Sequence, residues 1–130
     1  MKILVGYDGS NSAKDTLRLA LSHASRFGAS VEVATSMVQG RESDRSDIQQ
    51  AESGLKWAEE KAREAGVACT THLLIRGLSV GEDLVTFAGE KEIDLVYIGV
   101  RRRSRVGKLL MGSNAQFVIL KAPCPVVTVK

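Results

Sequence analysis

Five short strand-like segments, mostly apolar and mixed in pattern in the third, separated by stretches with helical spacing, set the narrowest limit on how this chain can fold. They are Ile3-Leu4-Val5, 31–35, 67–75, 95–98 and 126–129. β-Branched residues dominate most of them, and the fourth suits a strand buried on both faces. Between them the period changes. Ala13, Leu17, Ala20, Leu21, Ala24 and Phe27 share one helical face, as do Ala51, Leu55, Ala58, Ala62 and Ala65. Leu84, Phe87 and Ala88 mark a shorter third helix, and a fourth is predicted from Ser113 to about Leu120. The order βαβαβαβαβ predicts an α/β fold, a parallel sheet with helices on both faces. Ligands of such sheets bind at the carboxyl ends of the strands.

The punctuation between these segments agrees. Ser12 with Asp15, and Ser79 with Glu82, have the spacing of a capping box and predict helix starts. Gly28 and Gly66 are placed to end the first two helices in left-handed caps. Residues 39–47 contain no apolar side chain and read as a loop or the frayed start of the second helix. Pro123 and Pro125 end the fourth helix.

Residues 94–116 carry the chemistry. A strand ends at Gly99, a loop follows with Arg101, Arg102, Arg103, Arg105 and Lys108, and Gly112-Ser113 opens a helix. A basic loop feeding a helix N-terminus is an anion site, because unpaired N–H groups and the positive end of the helix dipole favour phosphate. The charge distribution points the same way. Residues 95–130 hold seven Lys and Arg and no acidic residue, whereas 1–94 hold fifteen acidic and eleven basic residues. One positive region on a mildly acidic body suits a local anionic ligand better than a nucleic-acid coat. With 5% aromatic residues, and none in the loop, nucleic acid is the weakest partner class.

At 130 residues the chain is read as one domain, 1–130. No apolar run approaches the roughly 20 residues that span a bilayer, and the first residues lack the apolar core of a signal peptide, so a cytoplasmic location is expected. Cys69 and Cys124 are read as reduced, packed thiols, and no Cys/His cluster with metal spacing is present. The Walker A pattern is absent, since Gly107-Lys108 is followed by Leu109, and so is GxGxxG.

The whole chain resembles the universal stress protein family. The resemblance rests on Ile3-Leu4-Val5-Gly6-Tyr7-Asp8-Gly9-Ser10, on the G-x2-G-x9-G-[S/T] signature of the ATP-binding members, and on Ala122-Pro123-Cys124-Pro125-Val126-Val127. Gly99 is the first glycine of that signature and Gly112-Ser113 its final pair, while Arg102 replaces the second glycine. The resemblance implies a five-stranded parallel sheet of order 3-2-1-4-5, with a Rossmann-like arrangement of helices. It implies a stress-linked regulatory protein that binds ATP or AMP, with Mg²⁺ held by the phosphates. It places Asp8, with Gly9 and Ser10, beside the nucleotide and Ser36 and Met37 near adenine. Ribose and phosphates then fall to Gly99, Gly112, Ser113 and Asn114, with Arg101, Arg102 and Arg103 adding charge. It also implies a homodimer joined along Val126, Val127, Thr128 and Val129.

Plainer readings stand beside these. Asp8 can cap the turn at Gly9, Gly112-Ser113 can be a helix start alone, and the arginine run can be a solvated loop. Trp57 is read as packing. No general base stands near the phosphate loop, so slow ATP hydrolysis is the most the sequence offers. The alternative function is a dimeric interaction module whose pocket Arg102 has closed.

Overall fold

A computed structural model describes residues 1–38, 44–100, 102–103 and 109–130, with backbone alone at 44, 102, 103, 109 and 110. The order is β1 (Lys2–Gly6), α1 (Asn11–Phe27), β2 (Ser30–Ser36), α2 (Asp44–Glu64), β3 (Cys69–Leu74), α3 (Val80–Glu90), β4 (Leu95–Gly99), β5 (Arg102–Arg103), β6 (Leu109–Leu110), α4 (Ser113–Lys121) and β7 (Val126–Val129). The main sheet runs β3-β2-β1-β4-β7 and every pairing in it is parallel. This is the expected 3-2-1-4-5 order. Ile3 sits opposite both Val31 and Leu95, so β1 is central and hydrogen-bonded on both sides.

The strand pattern divides the core in two. Ile3, Val5, Val31, Val33 and Tyr97 point to the face covered by α1 and α2. Leu4, Ala34, Val96 and Ile98 point to the opposite face, against Leu84, Phe87 and Ala88 of α3 and Val118 of α4. Residues one apart along a strand face opposite ways, so runs that look uniformly apolar serve both layers. Val118 is the only residue of α4 that is fully buried, so α4 is a thin cover at one corner of the sheet.

Local rules account for the boundaries. Gly28 and Gly66 have φ of 67° and 69°. After Gly66 the Val67 N–H donates to Ala62 O and the Gly66 N–H to Arg63 O, the paired bonds of a Schellman cap. Val67 is thereby held in the helix stop, which is why the third strand is narrower than the predicted 67–75. Helix α2 begins at Asp44, so the helix-start reading of 39–47 holds for 44–47, and residues 39–43 lie outside the described ones.

Two further expectations need correction. The cap of α1 is Ser10, not Ser12: Ser10 Oγ accepts from the Ala13 N–H at 3.1 Å. Asp8 Oδ1 accepts from the Ser10 N–H at 3.0 Å, and this turn sets Ser10 in the extended conformation a cap requires. The predicted basic loop also contains an antiparallel pair, β5 with β6, in which Arg102 faces Leu110 and Arg103 faces Leu109. Two-residue strands with no apolar alternation carry no strand signal.

Candidate functional site

The carboxyl ends of β1 and β4 open into a cavity of about 650 Å³. That lies within the span of small-molecule sites, about 300–1,000 Å³. Its walls come from four places: the β1–α1 turn, the end of β2, the first turns of α3, and the N-terminus of α4. Ala34, Val80, Leu84, Ile98 and Val118 supply an apolar floor, while Asp8, Ser10, Ser12, Ser36 and Ser113 supply polar atoms. A flat apolar ring with a polar tail fits such a lining.

Helix α4 presents its N-terminus, the positive end of its dipole, to the cavity. Its N-cap is Gly112, extended at φ −68° and ψ 156°, with no side-chain hydrogen bond to the first turn. The caps of α1 and α3 differ: Ser10 accepts from Ala13, and Ser79 accepts from Glu82. Helix α4 therefore starts with no side chain of its own on its first N–H groups, and Gly112, Ser113 and Asn114 all line the cavity. The first turn of α4 holds no acidic residue to oppose an anion.

The predicted site residues divide. Asp8, Ser10, Ser36, Gly99, Gly112, Ser113 and Asn114 all line this cavity. Gly9 and Met37 instead line a neighbouring hollow of about 500 Å³, toward α2 and Trp57. The Met37 N–H donates to Leu74 O at 2.9 Å, so β3 uses that donor. Arg101 lies outside the described residues, as do the side chains of Arg102 and Arg103.

Several of these residues also serve the fold. Asp8 braces its turn through Oδ1. Asn114 Oδ1 accepts from the Gly81 N–H at 2.9 Å and so ties α4 to the first turn of α3. A Cβ on Gly81 would lie 3.1 Å from Phe117 Cβ, so the two helices meet closely there. A Cβ on Gly99 would fall within contact of Ser12 Oγ and 3.0 Å from Thr16 Oγ1. Gly99 is small because α1 packs directly over it.

The sequence reading missed Asp83 and Arg76. The Asp83 side chain is 0% exposed and sits just behind the cavity. Its Oδ2 accepts from Ser36 Oγ at 2.7 Å, and its Oδ1 accepts from Arg76 Nε at 2.6 Å. Arg76 also donates through Nη1 to Glu90 at 2.6 Å. Glu90 first, and Asp83 with it, push the guanidinium further toward its charged form, against the opposing effect of burial. A signal existed: Asp83 falls four residues before Phe87, on the apolar stripe of α3, where a charge requires a partner.

Comparison with known proteins settles the family. The family model described as universal stress protein family matches residues 1–130. The chain belongs to the universal stress protein family. One relative is the universal stress protein in the QAH/OAS sulfhydrylase 3′ region of Thermus aquaticus. It is 34% identical over 134 residues, which cover 98% of this chain and 97% of that protein. A universal stress protein structure from Archaeoglobus fulgidus superposes with a TM-score of 0.92 at 40% identity, covering 100% and 98% of the two chains. An Archaeoglobus fulgidus universal stress protein in complex with dAMP superposes at 0.84 with 36% identity, again covering 100% and 98%. Among the described residues of this family member, no helix is long and apolar enough to cross a membrane.

Proposed function

We propose that this chain is an adenine-nucleotide-binding regulatory protein of the universal stress type. The observation that carries the reading is the N-terminus of α4, which opens on the cavity with glycine as its cap and no acidic residue in its first turn. Phosphate would lie against those N–H groups with Ser113 beside it, and the base would lie on the apolar floor near Ser36. The Archaeoglobus fulgidus relative whose structure holds dAMP supports an adenine nucleotide as the class. Arg101, Arg102 and Arg103 would add charge from the segment before α4. Any Mg²⁺ would be held mainly by the phosphates. Hydrolysis would be slow: among the described residues of the lining, Asp8 is the one carboxylate, and its Oδ1 is already held by the Ser10 N–H. The working unit would be a cytoplasmic homodimer joined at β7, the outer strand of the sheet.

Calorimetric titration with AMP and ATP tests this. Gly112→Val is the informative variant: φ −68° and ψ 156° suit a β-branched residue, so the backbone is kept while a branched side chain enters the anion's position. The wild type should bind and the folded variant should lose at least about tenfold in affinity, the equivalent of about 1.4 kcal/mol. A wild type that binds neither nucleotide, or a variant with unchanged affinity, would refute the reading.

A further inference from the structure

The second hollow, of about 500 Å³, lies between the β1–α1 turn and α2. Its apolar surface is largely aromatic. The Tyr7 and Trp57 rings line it, nearly parallel at 14° with centroids 6.4 Å apart, and Met37 lines it with them. Gly54 lines it too, although it stands inside α2, where glycine weakens a helix relative to alanine. Packing does not require this glycine. An added Cβ would meet Tyr7 Cε2 at 3.4 Å, an ordinary contact, and no other described atom outside its own helix within 4 Å. The missing side chain leaves that wall of the hollow bare.

Charge of both signs lines the same space. Lys14 Nζ lies 5.2 Å from the Trp57 ring centroid, with Arg18 and Lys61 at 5.7 and 5.5 Å. Arg18 is paired with Asp15 and Lys61 with Glu64. Asp47, near the start of α2, lines the hollow as well. Lys14 and Asp47 form no ion pair with each other, nor with any other described residue. Asp8 adds a second carboxylate to the lining, its Oδ1 held by the Ser10 N–H. Three cations around Trp57 oppose a ligand that is only cationic, and two carboxylates oppose one that is only anionic.

We propose that this hollow binds a small zwitterion with an apolar body, of the α-amino acid class. Its carboxylate meets Lys14 and its ammonium meets Asp47, while its side chain lies against Trp57, Tyr7 and Met37. Each charge of the ligand finds an opposite charge that no described residue of the protein neutralises. The aromatic wall covers the apolar surface. The site is separate from the cavity at α4, which Lys14, Asp47 and Trp57 do not line. The inference therefore does not rest on the nucleotide reading.

Trp57 is the one tryptophan of the chain, so its fluorescence reports on the hollow directly. Phenylalanine, which does not absorb where tryptophan is excited, is the probe, and it should change the emission saturably. Phenylpropionate lacks the ammonium and phenethylamine lacks the carboxylate. Each should bind about threefold or more weakly than phenylalanine, the span expected of charge pairs that water reaches. Lys14→Ala should weaken phenylalanine by a similar factor and leave phenethylamine unchanged. Asp47→Ala should weaken phenylalanine and leave phenylpropionate unchanged. A merely structural role would not give this crossed pattern, and circular dichroism verifies that both variants fold. Wild-type emission that phenylalanine does not alter saturably overturns the inference. So do equal affinities for the three compounds, or folded variants that lose all three alike.

Discussion

Arg76→Ala should destabilise the fold by leaving the buried Asp83 carboxylate without its cation. Asp83 would keep its bond from Ser36 but lose the guanidinium that balances its charge. Removing one partner of a fully buried pair costs about 3–5 kcal/mol. Here Asp83 is 0% exposed but the Arg76 side chain is 32% exposed, so water can reach part of the gap. We therefore expect about 2–3 kcal/mol, the lower end of that span discounted for solvent. The Glu90 arm adds little, since that side chain is 52% exposed. An unfolding entropy of about 2.1 cal/mol/K per residue over 130 residues gives about 0.27 kcal/mol/K, so Tm should fall by about 7–11 °C. Differential scanning calorimetry measures this directly. The double variant Arg76→Ala with Asp83→Asn is the control, because it removes the stranded charge as well. It should be more stable than Arg76→Ala alone by about 1 kcal/mol or more. A Tm drop under about 2 °C for the single variant, or a double variant less stable than the single one, would refute the account of a buried charge held by its partner.

Gly99→Ala should cost about 1–3 kcal/mol by overpacking against Ser12 and the fully buried Thr16, and Ser12→Ala in the same chain should recover part of it; additive Tm values would show that the two sites do not touch. Dimer formation is best probed at Thr128. Val96 donates to Pro125 O and Val100 to Val129 O, so alternation turns the Thr128 N–H to the outer edge of β7 and the Val127 N–H toward β4. Thr128→Pro should then give a folded monomer by light scattering, and a wild-type monomer at micromolar concentration would end the idea. Cys69 has its thiol pushed up to about 11, by burial first and by Glu32 and Glu59 after it. Its alkylation rate should climb about tenfold per pH unit between pH 8 and 10, and a flat profile would contradict the assignment. The raised value also fixes a sign: this thiol's contribution to stability is complete below its ordinary value of 9.0 and is lost as pH rises toward about 11.

The fold was legible wherever apolar period and capping chemistry spoke together. The strand–helix alternation gave the layers, and Gly28, Gly66 and Ser79 marked boundaries that the structure shares. The order of strands came from family resemblance, since period alone says nothing about which strands are neighbours. The capping-box spacing of Ser12 with Asp15 points two residues past the true cap, Ser10. The deciding bond, from the Ser10 N–H to Asp8, is visible only once the turn is built. The cavity was legible in outline through Asp8, Gly99, Gly112 and Ser113. Its back wall was not. Arg76 and Asp83 are seven residues apart, in a loop and a helix, and Ser36 is 47 residues from Asp83. No local pattern links three residues that meet only when β2 and α3 pack together.

The seat of α1 on Gly99 bears on what a sequence signature can report about this fold. Any descendant of such a chain that gave up its ligand would still place Ser12 and Thr16 against that position, and would still be selected to leave it bare. The first glycine of the signature is thus a record of architecture, inherited with the crossing of α1 over β4. Gly112 is different: its extended backbone, at φ −68° and ψ 156°, is one that almost any residue adopts. Drift at position 112, more than at 99, is where a lineage would first reveal that its pocket had fallen out of use.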